Sequence, residues 1–473
     1  MAGMPRALLI STYDLGHQPF GLASPAAWLR RGGAEVACAD LSKQKLDEEQ
    51  VRAADVIAFH LPMHTATRMA SGVIRKVREI NPHARIAAYG LYAPINAEWL
   101  RSLGVADLFG AEFEAGLTRL VCGSVPADAV ARESAPMTGA RHTARTTVPR
   151  LQFIPPDRTG LLPLARYATL RMPDGTTRVA GYTEASRGCR HLCRHCPVVP
   201  IYGGQFRVVP GHVVLADVRA QVDAGAQHIT FGDPDFFNGP RHALQVVQAL
   251  RTAHPHLTYD VTIKIEHLLR HRDLLPTLRD TGCLFITSAV ESIDDRVLEI
   301  LDKGHTRADF VAAVTLCRDA GVPLVPTFVA FHPWITMVGY CELLTTLTRL
   351  DLIAHVAPIQ LAIRLLIPSG SRLLEHPDLA PHLRGFERRT LTHLWQHPDP
   401  EVDRLQADVA ALVGRTLTGS RRELFGAIAA LASSRAGVAM PSSGHAGEDA
   451  GIPQFDEPWY CCAEPNPEQL TLV

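Results

Sequence analysis

Three cysteines fall within eight residues near the middle of the chain. Cys189, Cys193 and Cys196 stand in the segment Ser-Arg-Gly-Cys-Arg-His-Leu-Cys-Arg-His-Cys-Pro, which begins at residue 186. Thiolates are soft ligands that suit iron–sulfur clusters. A four-iron cluster that is held by three protein thiolates keeps one iron free for a small molecule. The spacing therefore predicts a [4Fe-4S] cluster with one open iron, where chemistry takes place.

A zinc site is the alternative interpretation of the same three cysteines. Zinc sites usually combine paired C-x2-C units, or add histidines, to reach four ligands. His191 and His195 lie between the cysteines, so the triplet alone leaves zinc open. Three buried structural cysteines fit poorly, because arginine and histidine residues are interleaved among them. The sequence that follows favours the cluster.

The C-x3-C-x2-C spacing resembles the signature of the radical S-adenosylmethionine (SAM) superfamily. In that family the amino and carboxylate groups of SAM chelate the open iron, and an electron from the cluster splits a carbon–sulfur bond of the sulfonium. The resemblance covers about residues 166–375 and implies a partial (β/α)6 barrel with its chemistry at the carboxyl ends of the strands. It also implies an electron donor such as a flavodoxin or a ferredoxin.

Two predicted strand ends carry residues that resemble the family's SAM contacts. Gly232 and Asp233 close the second strand, where a turn and a carboxylate suit the amino group of SAM; an ordinary Asp-Pro turn is the alternative. Glu291 and Ser292 close the fourth strand, at the place where the family presents an acidic or polar contact. The resemblance therefore implies that these four residues bind SAM.

Four other residues are weaker candidates. His195 stands at a position that is often aromatic in the family, beside the adenine of SAM. Arg364 lies near the end of the sixth predicted strand, where it can meet a carboxylate or remain a solvated charge. Lys264 and Glu266 alternate with apolar residues on the third strand, which predicts either groups inside the barrel or an internal ion pair.

The first 125 residues alternate apolar strands with amphipathic helices, which predicts a doubly wound parallel sheet. This region resembles the cobalamin-binding domain in front of many radical SAM barrels, whose corrin lies against the carboxyl ends of such strands. The D-x-H-x-x-G signature that supplies a lower axial histidine is not met, because Asp14 is followed by Gly16 and then His17. Some cobalamin-dependent radical SAM enzymes lack that histidine, so its absence leaves cobalamin binding open. A vestigial or substrate-shaping Rossmann-like domain is the preferred interpretation, and cobalamin binding is the less favoured alternative.

The remaining patterns complete an α/β organisation in which a Rossmann-like domain precedes the barrel and a helical region follows it. Apolar residues at helical spacing in 391–396 and 402–413 predict helices after the barrel. A small, Gly-rich segment then predicts a mobile linker. The predicted units are a Rossmann-like domain (1–125), a connector (126–165), the barrel (166–375), a helical extension (376–433), a flexible linker (434–452) and a tail (453–473).

The tail contains two adjacent cysteines, Cys461 and Cys462, in Phe-Asp-Glu-Pro-Trp-Tyr-Cys-Cys-Ala-Glu-Pro-Asn. This ending resembles the CUAEP/CCAEP-tail radical SAM proteins, in which selenocysteine replaces a cysteine in some members. Members of that group resemble the enzyme of arsinothricin-type biosynthesis, which joins the 3-amino-3-carboxypropyl group of SAM to trivalent arsenic. Arsenite is thiophilic, so we expect Cys461 and Cys462 to hold it beside the SAM.

Two other functions use the same residues. One is a cobalamin-dependent radical SAM methylase of a small natural product, in which the tail acts as a redox thiol pair. The other is a non-catalytic thiol or metal sensor, which leaves the SAM motifs unexplained.

Composition excludes several other classes of protein. The 473 residues are enough for two or three domains, and a hydrophobic fraction of 47% is ample for burial. A net charge of −1 provides no basic field, so we expect no nucleic-acid partner. The absence of a long apolar run predicts no membrane association and a cytoplasmic protein. Ten cysteines in a reducing compartment indicate metal or thiol chemistry at the clustered ones.

Replacement of Cys189, Cys193 or Cys196 by alanine should abolish both the broad visible absorption of the cluster and all SAM cleavage, because each thiolate is one of only three protein ligands. Absorption spectra and product analysis after anaerobic reconstitution measure both effects. An intact cluster in the triple variant would contradict the assignment.

Overall fold

The computed structural model describes residues 3–126, 130–132, 148–415, 420–439 and 451–457. They form an N-terminal α/β domain, a curled sheet flanked by helices, and a C-terminal hairpin with two helices. Cys461 and Cys462 lie outside the described residues. No helix in the described ranges combines the length and the apolar character that a bilayer crossing needs.

The N-terminal domain is built on five parallel strands in the order β2-β1-β3-β4-β5. The inner strands are almost entirely apolar because helices cover both faces of the sheet. This is the doubly wound sheet that the alternation predicts. Its strands are β1 (Arg6–Ser11), β2 (Glu35–Asp40), β3 (Val56–His60), β4 (Arg85–Tyr89) and β5 (Asp107–Phe109). Its helices are α1 (Phe20–Arg31), α2 (Glu48–Ala53), α3 (His64–Ile80), α4 (Tyr92–Ile95), α5 (Ala97–Ser102) and α6 (Glu114–Cys122).

The second unit is a seven-stranded curled sheet in which five neighbouring strands are parallel. A short connector with strands β6 (Val130–Arg132) and β7 (Arg150–Leu151) precedes it. The sheet contains β8 (Thr169–Arg171), β9 (Thr177–Thr183), β12 (His228–Phe231), β13 (Thr258–Thr262), β14 (Cys283–Glu291), β15 (Leu324–Phe328) and a seventh strand at residues 454–455. Strands β10 (Ser186–Gly188) and β11 (Phe206–Val208) form a separate two-stranded sheet. The helices are α7 (Val199–Tyr202), α8 (Gly211–Asp223), α9 (Pro240–Ala253), α10 (Ile265–Arg270), α11 (Leu275–Thr281), α12 (Asp295–Ile300), α13 (Arg307–Ala320) and α14 (Met337–Arg349).

The sixth barrel strand expected over 359–365 is not formed. Pro358–Leu361 is a 3-10 turn, and Arg364 meets Phe331 only through an isolated parallel bridge. Proline cannot donate to a strand ladder. The side-chain amide oxygen of Gln360 accepts from Phe328 N at 2.9 Å and so replaces the missing backbone partner.

The helix expected over 391–396 is a β-strand. Strand β17 (Thr392–Trp395) pairs antiparallel with β16 (Leu383–Glu387). Tertiary hydrogen bonds favour the strand, since Trp395 Nε1 donates to Leu365 O at 2.8 Å and Thr392 Oγ1 donates to Ile367 O at 3.1 Å. Helices α15 (Pro400–Arg415) and α16 (Arg421–Ala436) follow, at the positions where the apolar spacing is helical.

A C-terminal strap, residues 451–457, returns to the barrel. Its strand β18 (Gln454–Phe455) pairs antiparallel with β8. Ile452 packs against Leu170 and Phe285. The Phe455 ring lies 5.9 Å from His228 and 5.5 Å from His17, which reaches into the barrel from the N-terminal domain. The strap therefore joins both domains.

Arg187 is a buried polar link between the two domains. Its guanidinium, buried at 7% exposure, donates to Glu114 Oε1 and Glu184 Oε2, each at 2.7 Å. Its carbon atom Cζ lies 5.1 to 5.7 Å from the ring centres of Phe153, Phe20 and Phe113. Because Glu114 begins α6 and Glu184 follows β9, one cation neutralises acids of both domains.

Replacement of Arg187 by methionine should destabilise the protein by about 3–5 kcal/mol, because Glu114 and Glu184 then remain buried without a cation. The urea midpoint of unfolding measures the effect. Arg6→Met is the matched control: Arg6 pairs with Glu35 on the surface, and loss of such a pair costs at most about 1 kcal/mol. Equal losses in the two variants would contradict a special role for Arg187.

Candidate functional site

The cysteine loop leaves the sheet through a hairpin made by β10 and β11. Gly188 ends β10 with a φ of 76°, and a Cβ there would lie 2.4 Å from the Tyr202 ring and 2.5 Å from Gln205 O. A side chain therefore has no room at this position. Backbone bonds then fix the loop, since Arg194 N donates to Leu301 O at 2.9 Å and Leu373 N donates to Arg194 O at 3.0 Å.

The three thiols of the loop lie below the surface. Cys189 and Cys193 are buried and Cys196 is half-buried. The three sulfur atoms do not all lie within 4.8 Å of one another. A tetrahedral zinc ion with bonds of about 2.3 Å would need sulfur atoms about 3.8 Å apart. The arrangement therefore fits a larger group better than a single ion. Burial and the neighbouring Cys193 raise the pKa of Cys196 to about 12, and metal binding would have to displace that proton.

Two buried lysines lie beside these thiols. Lys264 Nζ is 3.8 Å from Cys193 Sγ and 3.9 Å from Glu266 Oε2. The expected internal ion pair is thus present, although Lys264 is the N-cap residue of α10 and Glu266 lies in its first turn, so neither is on a strand. Burial lowers the pKa of Lys303, but Glu291, Cys193 and Cys196 outweigh it and raise the pKa. Two cations therefore compensate the negative charge that three thiolates would carry.

Glu291 lies at the centre of the polar groups around the thiols. Its Oε1 is 3.1 Å from His195 Nε2 and 3.4 Å from Lys303 Nζ. Burial raises its pKa, but Lys303 and His195 outweigh that effect and lower the pKa to about 2. The residue has a φ of 72°, an unfavourable conformation for a non-glycine residue that turns the chain at the end of β14. Glu291 is therefore an ionised carboxylate in a strained, fixed position.

Gly232 and Asp233 follow β12. A Cβ at Gly232 would lie 1.7 Å from Tyr182 Oη, so only glycine fits there. Asp233 accepts from Ala185 N at 2.9 Å and from Ser186 Oγ at 2.5 Å. Burial outweighs these hydrogen bonds and raises its pKa to about 7. Asp233 thus fixes the chain just before the cysteine loop, and its contact with SAM stays a prediction.

Ser292 and Arg364 also have protein partners. Ser292 is buried, and its Oγ accepts from Asp294 N at 3.1 Å. Arg364 donates to Asp403 Oδ1 at 2.6 Å and stacks on Trp395, with its Cζ 3.5 Å from the ring centre. It lines a cavity of about 400 Å³ beside β17 and α15. The ligand contacts expected of both residues stay predictions.

Three further residues of the site, Asn238, Lys303 and His305, lie in the segments that resemble SAM contacts, but the sequence predicts no individual role for them. Asn238 lies 3.9 Å from Cys189 Sγ through Oδ1, which also accepts from Arg190 N at 3.2 Å. Lys303 Nζ lies 3.4 Å from Glu291 Oε1. His305 is buried with no hydrogen bond to either ring nitrogen, and burial together with Lys303 and Lys264 lowers its pKa to about 4. Asn238 lies in the segment that contains Gly232, and Lys303 and His305 follow Glu291, so only their positions in those motifs could have indicated them.

The carboxyl edge of the N-terminal sheet is filled by the chain itself. Tyr13 Oη donates to Glu457 Oε1 of the strap at 3.0 Å. A Cβ at Gly16 would lie 2.8 Å from Ala168 Cβ. Between Phe20 and Arg187 the cavity measures about 10 Å³, far below the roughly 300–1,000 Å³ of ordinary ligand sites.

His17, the nearest match to an axial histidine, has its ring 5.1 Å from Tyr182, and burial lowers its pKa to about 4. Its ring is thus placed among barrel residues and not at the sheet edge. Tyr13, Gly16 and His17 are thus in contact with residues of the strap and of the barrel.

Residues 183–343, which include the cysteine loop, match the family model of the Radical SAM superfamily. Among curated proteins, the chain is similar to the hopanoid C-3 methylase of Methylococcus capsulatus, with 22% identity over 70% of this chain and 64% of that protein. It is also similar to the tRNA-2-methylthio-N(6)-dimethylallyladenosine synthase of Chloroherpeton thalassium, with 26% identity over 29% of this chain and 32% of that enzyme. The chain thus matches about one third to two thirds of the length of these relatives.

Two solved structures share the fold along most of the chain. The cobalamin-dependent SAM radical enzyme OxsB, with aqua-cobalamin and SAM bound, gives a TM-score of 0.65 at 11% identity and covers 91% of this chain and 72% of that one. The radical SAM methyltransferase TsrM of Kitasatospora setae, with tryptophan and a SAM analogue, gives 0.62 at 16% identity and covers 86% and 89%. At these identities the likeness establishes the fold alone.

Glu291→Ala should weaken SAM binding by about one to two decades, because a buried charge-assisted hydrogen bond contributes roughly 1.5–3 kcal/mol. Calorimetry on the cluster-loaded chain measures the affinity, and visible absorption checks that the cluster is assembled. Glu299→Ala, on the neighbouring helix α12, is the control and should leave the affinity unchanged. An unchanged affinity in the Glu291 variant would remove this residue from the SAM site.

Proposed function

We propose that the chain is a radical SAM enzyme in which Cys189, Cys193 and Cys196 hold a [4Fe-4S] cluster. The observation that carries the proposal is the convergence of three thiols with the buried ammonium groups of Lys264 and Lys303 at the carboxyl end of the sheet. When bound, the cluster supplies the electron that splits a carbon–sulfur bond of SAM.

The protein residues around the cluster bind and orient. We assign Glu291 to the ammonium of SAM, because it is an ionised carboxylate that His195 and Lys303 hold in place. Gly232 lets the backbone approach closely where any side chain would meet Tyr182. His305 is neutral at pH 7 with two unpartnered ring nitrogens, and we assign it to a polar group of SAM or substrate.

We further propose that the transferred group is 3-amino-3-carboxypropyl and that trivalent arsenic accepts it at Cys461 and Cys462. The strap supports this proposal, because Glu457 is bonded to Tyr13 beside the sheet edge and only three residues separate it from Cys461. Four residue steps of chain reach at most about 14 Å. Two one-electron reductions balance the reaction: the first breaks the carbon–sulfur bond, and the second, with a proton, releases water from arsenite as the arsenic–carbon bond forms.

Methyl transfer is the second candidate. The similar proteins support it, since they include a hopanoid methylase and a radical SAM methyltransferase. The cobalamin-dependent form of this function needs a corrin site, and the packed edge of the N-terminal sheet argues against one. The tail thiols would then serve as a redox pair.

The two candidates give different products from one experiment. The full chain, reconstituted anaerobically and reduced, is incubated with SAM in the presence or absence of arsenite and of cobalamin. We expect 5′-methylthioadenosine and an aminocarboxypropyl arsenical, which depend on arsenite and not on cobalamin. Mass spectrometry identifies both products. A methylated product that requires cobalamin would support the second candidate. No SAM cleavage at all would refute the proposal that the chain is a radical SAM enzyme.

Cys461→Ser with Cys462→Ser should abolish the arsenical while cluster content and SAM affinity stay unchanged, because positioning of the acceptor supplies a large part of the rate. Cys122→Ser, a half-buried thiol of the N-terminal domain, is the matched control. Full activity of the double variant would show that other groups hold the acceptor.

A further inference from the structure

A second group of potential metal ligands lies beside the cysteine loop. Within the described part of the chain, one nitrogen each of His191 and His267 and one oxygen of Asp235 all lie within 4.8 Å of one another. Asp235 Oδ2 is 2.7 Å from His267 Nδ1 and 3.4 Å from His191 Nε2. Ligand atoms on a tetrahedral ion with bonds of about 2.0–2.2 Å would be roughly 3.3–3.5 Å apart. Small shifts would therefore bring these atoms into one coordination sphere.

None of these three atoms makes a hydrogen bond of acceptable geometry, although all three are buried. Asp235 is 0% exposed, so water cannot reach its carboxylate. His267 Nδ1 and Asp235 Oδ2 are 2.7 Å apart, but the angles at this contact do not suit a hydrogen bond. Buried polar atoms without partners are costly, and a shared cation would satisfy all three.

The groups around the three side chains resemble the support of a metal site. Glu266 Oε2 lies 3.6 Å from His191 Nδ1, the ring nitrogen that does not face Asp235. Metal-binding histidines commonly direct their second nitrogen at a carboxylate. The other Asp235 oxygen, Oδ1, accepts from Phe237 N at 3.2 Å. Glu266 thus helps to orient the His191 ring, and the Phe237 amide helps to orient the Asp235 carboxylate.

We propose that His191, Asp235 and His267 form a second metal site for a divalent ion of the zinc class, distinct from the cysteine cluster. Two imidazole nitrogens and one carboxylate oxygen are a donor set that Zn²⁺ accepts, with a fourth position left for water or another ligand. The ion would join the cysteine loop, which carries His191, to the end of β12 and to helix α10. Its effect is to fix the loop that carries Cys189 and Cys193.

The test separates this site from the thiols. A full-length background with Cys189→Ser, Cys193→Ser, Cys196→Ser, Cys461→Ser and Cys462→Ser removes the clustered thiols. Zn²⁺ is added and the excess is dialysed away. We expect one zinc per chain by mass spectrometry, and a visible d–d band when Co²⁺ replaces it. Adding His267→Gln should abolish both signals. Adding Glu266→Gln should weaken zinc affinity by about 10- to 100-fold.

His271→Gln is the matched control, because its ring lies 5.8 Å from that of His267 outside the ligand group. It should leave the zinc content unchanged. Absence of metal from a background whose circular dichroism matches the wild type would overturn the proposal, as would equal metal in the His267→Gln chain. If the background does not fold, cluster-loaded wild type is compared with cluster-loaded His267→Gln. A difference of one zinc per chain supports the site, and no difference overturns it.

Discussion

The buried guanidinium of Arg187 is the interaction on which the rest of the structure depends. It stands two residues before Cys189 and binds acids from both domains, so one residue links the start of the cysteine loop to the docking of the N-terminal domain. A buried cation requires compensation, and Glu114 and Glu184 provide it at 2.7 Å each. The aromatic rings of Phe20 and Phe153 surround it, and in such an apolar environment an unpaired charge would cost more free energy than at the surface.

A second constraint is the balance of charge at the thiols. Three thiolates in a buried loop need cations nearby, and Lys264 and Lys303 are the buried ones that the fold places there. The same lysines lie next to Glu266 and Glu291, so the region alternates positive and negative groups over short distances. An environment of this kind can bind a zwitterion such as the methionine end of SAM through both of its charges.

The N-terminal domain combines a shared architecture with its own side chains at the sheet edge. Its sheet and its placement beside the barrel follow the fold of OxsB and TsrM. Its carboxyl edge, however, is occupied by the strap and by the packing around Tyr13 and Gly16. The fold therefore does not decide the ligand; the side chains at this edge do.

The sequence by itself determined the elements with strong local signals. The parallel sheet of the N-terminal domain, the barrel strands β9, β12, β13, β14 and β15, and the cysteine loop all follow from apolar runs and cysteine spacing. Local signals failed where tertiary partners replaced them: Gln360 substitutes for a strand ladder, and Trp395 and Thr392 bond across to the chain near 365. Only the tertiary structure brought Lys303, His195 and Glu291 together, joined His191 to Asp235 and His267, and closed the sheet edge with Glu457. These groups are distant in the sequence, and burial sets both their contacts and their charges, so no local pattern could reveal which of them meet.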